Sequence, residues 1–172
     1  MASNTGPGTR ILGSLQSADG KGIVHIEERF DTDIDDLWSA LTDAGRLARW
    51  YGQVEGDLRP GGQFRAHVWA SGWDGTGRVD ACERPRRLLV TSKEKDEPDE
   101  NVTEATLSAH GSQSILVLSQ RGLRLDWLAA YGAGLQIHVE DLAAHIAGRE
   151  RAAQTRWDEL LPAYQELAAN IG

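Results

Sequence analysis

The stretch Leu128-Ala129-Ala130-Tyr131-Gly132-Ala133-Gly134-Leu135-Gln136-Ile137-His138-Val139-Glu140-Asp141-Leu142-Ala143-Ala144-His145-Ile146 decides the fold. Tyr131, Leu135, His138, Leu142 and Ile146 advance by four, three, four and four residues, which sets them on one stripe of a helix. The spacing predicts a long helix from about Leu128 to Ala147, closed by Gly148. A few residues earlier, Ile115-Leu116-Val117-Leu118 is apolar at every position. It reads as a central strand, and the period switches from two to near four at about Leu123.

Outward from that junction, residues 52 to 120 alternate short strands with turn chemistry. Gln63 to Ala70, Thr76 to Glu83, Arg87 to Thr91, Val102 to Ala109 and Ser114 to Gln120 are the predicted strands. Arg59-Pro60-Gly61-Gly62, Ser71-Gly72-Trp73-Asp74-Gly75, Arg84-Pro85, the charged loop Glu94 to Asn101 and His110-Gly111 divide them. Strands joined this closely form an antiparallel meander. Before them, Ile23 to Phe30 is a strand, and Thr32 with Asp35 predicts a capping box opening a short helix through Ile34, Leu37, Trp38 and Leu41. Asp43 caps a second short helix carrying Leu47 and Trp50.

These elements define an α+β protein: a curved antiparallel sheet wrapped around a long C-terminal helix, with two short helices after the first main strand. A bent sheet gripping a helix leaves a cavity between them. The expected organisation is a flexible N-terminal segment over 1–22, mobile through about Thr9 and then forming a short hairpin across Asp19-Gly20, a domain over 23–147, and a helical extension over 148–172. The extension reads as helical from Ala152 to Ala169, bent or restarted at Pro162, and is expected either to cover the mouth of that cavity or to pack on the back of the domain.

Composition narrows the function classes. The chain has 172 residues and a net charge of −8, which argues against a general nucleic-acid binder, and the basic Arg84-Pro85-Arg86-Arg87 turn reads as a solvated one. Cys82 stands alone, so no intrachain disulfide forms and a cytoplasmic location is expected. No apolar run approaches the ~18–20 residues of a membrane span. Six Trp stand beside only three Tyr and two Phe, and Trp favours places where an apolar body meets a polar edge.

The ordered series Val24-x-Ile26-x-x-x-Phe30, Asp36-Leu37-Trp38-x-Ala40-Leu41-Thr42-Asp43, Leu47-x-x-Trp50 and Gly56-Asp57-Leu58-Arg59-Pro60-Gly61-Gly62-x-Phe64 carries a resemblance. Gly77-Arg78-Val79-x-x-Cys82-Glu83-Arg84-Pro85-x-Arg87-Leu88 and Tyr131-Gly132-Ala133-Gly134 continue it. The sequence resembles the SRPBCC superfamily (START-like, birch-pollen-allergen-like), and within it the homologues of the C-terminal domain of the activator of heat-shock protein 90 ATPase. The resemblance implies a helix-grip fold enclosing a pocket for apolar or amphipathic small molecules. The eukaryotic activator has a separate N-terminal domain for which this chain has no room, so the co-chaperone activity is not carried over.

Candidate ligand contacts are Trp50, at the end of the second short helix, Trp73 in a rim turn, and Tyr131, Leu135 and His138 on the long-helix stripe. From the strand 63–70 come Phe64 on one face and His67 with Trp69 on the other, because a single bulge would invert which face looks inward. Arg78 either anchors an acidic head group or pairs with Glu83 or a neighbouring carboxylate. Trp38 is assigned to the core, with Trp127 just before the long helix and Trp157 in the extension. His138 and His145, seven residues apart, lie about 10.5 Å apart along a helix axis, too far to share a metal ion. No metal, no cofactor and no catalytic residue is assigned, Cys82 reads as an inert thiol, and Gly132-Ala133-Gly134 lacks the third glycine of a dinucleotide fingerprint. The leading reading is a small-molecule binder. A cyclase, dehydratase or hydrolase using His138 or His67, and a protein-interaction module of stress response or regulation, are the alternatives, and a homodimer or protein partner is left open.

Overall fold

The computed structural model describes residues 10–151 and 155–171 of the chain, so the expectations for the tail up to Thr9 and for a helix start at Ala152 lie outside the described residues. Strand β1 (Gly13–Ala18) pairs with β2 (Lys21–Phe30) across Asp19-Gly20, whose φ angles of 55° and 79° suit the tight turn that matches strand twist. This hairpin is integral to the sheet, with Leu15 buried opposite Val24. The remaining strands are β3 (Gly52–Gly56), β4 (Gln63–Val68), β5 (Asp74–Glu83), β6 (Arg87–Glu94), β7 (Glu100–His110) and β8 (Gln113–Leu123). All eight form one antiparallel sheet in the order β1-β2-β8-β7-β6-β5-β4-β3. The charged segment 94–101 is shorter as a loop than its composition suggests, because β6 and β7 extend into it with Lys93 opposite Glu100.

Helices α1 (Ile34–Thr42) and α2 (Ala44–Trp50) carry the chain from β2 to β3 at the far edge of the sheet. The cap of α1 is one residue later than the sequence predicts. Asp33 accepts from the Asp36 amide at 2.8 Å, while Thr32 Oγ1 donates to the Asp36 carboxylate at 2.7 Å. An ionised carboxylate is a stronger acceptor than a hydroxyl, and Thr32 is then free to brace the first turn from outside. Asp43 caps α2 as expected, accepting from the Arg46 amide at 2.9 Å.

After a short 3-10 turn at Leu125–Trp127, the long helix α3 (Leu128–Ile146) runs across the inner face of the sheet. It is buried on nearly every side, because α4 (Thr155–Ala169) covers the face that the sheet leaves open. Gly132 permits this double packing: a Cβ there would meet the Tyr164 ring at 2.5 Å. Buried Gln136 links three elements. Its Oε1 accepts from the Leu12 amide at 3.0 Å and the Tyr164 hydroxyl at 2.7 Å, and its Nε2 donates to Arg10 O and to Glu140. Arg156 then joins α4 to Glu140 with two bonds of 2.6 Å. The helix does not restart at Pro162, which lies inside α4. Proline removes one helical amide, but Pro162 and Asp158 are both on the exposed side, where solvent can reach the Asp158 carbonyl it leaves behind.

Candidate functional site

A cavity of about 630 Å³ lies between α3 and the inner face of the sheet from β3 to β8. Its floor is a transverse row of facing residues: Val79 opposite Val90, Val90 opposite Thr103, and Thr103 opposite Gln120. Gln120 Nε2 donates to Thr103 Oγ1 at 3.2 Å, and in the adjoining row Ser92 donates to Asn101 at the same distance. The floor is therefore apolar with a few paired polar groups. A bulge in β5 between Val79 and Ala81 inverts the alternation, so Cys82 rather than Ala81 turns to the core. Burial there pushes the thiol pKa up, away from nucleophile chemistry.

One wall comes from α2 and its end. Trp50 Nε1 donates to Ala40 O at 3.0 Å, which fixes the indole as a rigid surface. Tyr51 follows it into the cavity, its hydroxyl pKa pushed up to about 12 by burial, and its ring meets the edge of His138 at 5.1 Å between centroids. The opposite wall is the α3 stripe of Tyr131, Leu135 and His138, with Ala130 and Gly134 beside it. His138 Nδ1 is shielded from solvent and has no hydrogen-bond partner among the described residues. Burial, aided by Arg151, lowers the imidazole pKa to about 4, so the ring is neutral near pH 7.

Of the sequence candidates, Trp50, Phe64, Trp73, Tyr131, Leu135 and His138 converge on the cavity. His67, Trp69 and Arg78 do not. In β4, Ala66 and Val68 are buried against the cavity and His67 stands on the outer face, so the alternation that brings Phe64 inward turns its neighbours outward. Trp69 is 37% exposed, donates to Ala48 O at 2.9 Å and rests edge-on against His67. Arg78 is paired on the outer face with Asp80 at 2.9 Å and Glu100 at 3.5 Å, rather than with Glu83.

Among the lining residues that were not sequence candidates, four carry an aromatic or charged side chain. Trp127 stands four residues before Tyr131, so extending the helical stripe backwards would have reached it. Tyr51 is adjacent to Trp50 and joins it only because the chain turns there into β3. Trp157 arrives from α4, a contact no local pattern encodes, and Glu94 sits where β6 outruns its predicted end. Seven of the eleven aromatic residues in the chain line the cavity. Among the described residues, no three His, Cys, Asp or Glu side chains are grouped to hold a metal ion, and no helix is long and apolar enough to cross a membrane.

An eight-stranded antiparallel sheet closed on a long C-terminal helix, with two short helices after its second strand and a cavity inside, is the helix-grip architecture of the SRPBCC superfamily. The profile of the family described as Activator of Hsp90 ATPase homolog 1-like protein matches residues 31–147, and the chain belongs to that family. The crystal structure of CalU16 from Micromonospora echinospora is similar at 27% identity and a TM-score of 0.76, over 91% of this chain and 95% of that one. A conserved protein of unknown function from Enterococcus faecalis shares the fold at 16% identity and a TM-score of 0.72, over 93% and 92%. An HSP90 activator from Plasmodium falciparum aligns at 24% identity and a TM-score of 0.51, over 59% of this chain and 73% of that one. No curated protein matches the sequence.

Proposed function

We propose that this protein binds a small apolar or amphipathic molecule in the cavity between the sheet and α3. The cavity itself carries the reading. Its volume of about 630 Å³ lies within the roughly 300–1,000 Å³ of ordinary ligand pockets, and protein interiors otherwise pack to crystal-like density. A ligand burying about 300 Å² of apolar surface would gain about 7 kcal/mol at about 25 cal/mol per Å², before the cost of its lost freedom. Thr103, Gln120 and Asn101 on the floor would set its orientation.

Binding is favoured over acid–base catalysis by His138. A general base works best with a pKa near the operating pH and a partner that fixes its ring, whereas His138 is held near 4 and its Nδ1 has no partner among the described residues. The fold match to an HSP90 activator does not extend a co-chaperone role to this chain.

The test is a screen of lipids, polyketides and aromatic compounds by thermal shift and native mass spectrometry. A ligand is expected to raise the midpoint and appear as a one-to-one complex, and Leu135→Trp, which fills the cavity from α3, is expected to abolish both effects. The reading fails if nothing copurifies and nothing moves the midpoint.

A further inference from the structure

We infer that the ligand carries a protonated amine on its aromatic or apolar body, and that Glu94 holds this amine beside Trp73, Trp127 and Tyr131. The inference rests on the ligand-binding reading above and adds to it the sign of the ligand's charge.

The charge of the cavity wall comes first. Among the described lining residues Glu94 is the only one with a formal charge; no Lys or Arg reaches the cavity. His138 adds none at neutral pH, because burial keeps it unprotonated. An acidic head group would find no cation inside, and Arg78 is committed to Asp80 and Glu100 on the outer face.

Glu94 also differs from several partly buried carboxylates nearby and across the sheet. Glu104 is matched by Arg87 and Arg121, Asp80 by Arg78 and Thr91, and Glu140 by Arg156. The Glu94 carboxylate has no hydrogen bond or ion pair among the described residues, and burial together with neighbouring Glu97 raises its pKa with no basic group offsetting them. Arg124, the cation of this corner, is held by Asp126 at 2.8 Å and Glu97 at 3.5 Å and lies over Trp127 at 4.2 Å; it forms no ion pair with Glu94.

Aromatic rings surround the same carboxylate. Glu94 pairs across the ladder with Gly75, and a Cβ on Gly75 would meet the Trp73 ring at 2.6 Å, so the indole lies over the strand at the position facing Glu94. Trp127 and Tyr131 share a small side recess with Glu94, which Glu97, Asp99 and the ion-paired Arg124 also line, and Glu94 contributes to the raised pKa of the Tyr131 hydroxyl. A carboxylate lacking a partner, set among indole and phenol faces, attracts a cation by charge and by the ring quadrupoles together. An anionic ligand of the same shape is repelled.

The test compares three probes that differ only in head group: 1-naphthylmethylamine, 1-naphthalenemethanol and 1-naphthoic acid, titrated by calorimetry at pH 7 and low salt. The amine is expected to bind about tenfold more tightly than the alcohol, and the acid more weakly than both. In Glu94→Gln the amine is expected to fall to the affinity of the alcohol, with the alcohol unchanged. An acid that binds as tightly as the amine, or an amine preference that survives Glu94→Gln, overturns the inference and leaves the binding reading standing. Failure of all three probes to bind also overturns the inference, while the binding reading stands or falls by the wider screen above. The comparison on the parent protein is independent of how the variant folds.

Discussion

The indole Nε1 of Trp157 donates to the carbonyl oxygen of Ala70 at 3.0 Å, tying α4 to the β4–β5 turn at the cavity wall. Ala70, Ser71, Gly72 and Trp73 of that turn all line the cavity, so this bond holds two of its surfaces together. The family match ends at residue 147, so α4 lies outside the matched region. Trp157→Phe keeps an apolar ring and loses the bond, at a cost of about 1 kcal/mol. Trp157→Ala also opens the wall, and about 1–3 kcal/mol is expected because the side chain is only partly buried. Urea unfolding measures both costs. Stopped-flow displacement of a bound naphthyl probe should show faster release from Trp157→Ala; an unchanged rate would mean that α4 does not gate exchange.

The Tyr164 hydroxyl donates to Gln136 at 2.7 Å and accepts from the Gly13 amide at 3.0 Å, so β1, α3 and α4 share one polar node inside the core. Tyr164→Phe leaves the Gly13 amide and one Gln136 lone pair unpaired, which is expected to cost about 1–2 kcal/mol. Gln136→Leu strips the node of its centre and should cost about 2–3 kcal/mol, since the Leu12 amide and Arg10 carbonyl lose their partners too. A double-mutant cycle between the two positions should return a coupling of about 1 kcal/mol. Additivity would show that the bond between them carries no stability of its own.

The helix-grip layout was legible because its signals are local. The four-three-four-four stripe gave α3 to within one residue of its end, and the turn dipeptides divided the strands. What escaped depends on contacts distant in sequence. Arg65, His67 and Trp69 share one strand face with the same alternation as Phe64, Ala66 and Val68, and nothing local says which face meets the helix. The apolar side turned inward, and the amphipathic side kept His67 and Trp69 at the surface. Likewise Pro162 reads as a restart only while its exposed side is unknown.

That outward set gives a control for the cavity. His67→Ala and Arg78→Ala remove side chains from the outer face and are expected to leave probe affinity within about twofold, because neither touches the lining. Leu135→Trp, from the α3 stripe, should remove binding while the protein still folds, since the added ring enters existing space rather than a packed core. Isothermal titration of the three variants separates the faces. Loss of binding in Arg78→Ala would move the site to the other side of the sheet.

His138 ties the cavity to pH. In the unfolded chain its imidazole takes up a proton near pH 6.5, whereas in the fold burial and Arg151 delay protonation to about pH 4. Between those values the unfolded state binds more protons than the folded one, so stability rises with pH across that window and is lost as pH falls through it. At about 1.4 kcal/mol per unit the loss approaches about 3 kcal/mol near pH 4, less whatever solvent in the cavity restores. Burial, with Arg46 and Arg49, also lowers the His145 pKa, and Asp36, Asp80 and Glu104, held low by their hydrogen bonds and ion pairs, lose those stabilising partners as they protonate. The informative quantity is therefore the difference between the parent and His138→Gln, in which those contributions cancel. Urea midpoints between pH 4.5 and 7 should converge as pH falls for the two proteins, because only the parent carries the His138 cost. Parallel curves would show that the ring protonates freely and that the cavity beside it is as wet as bulk solvent.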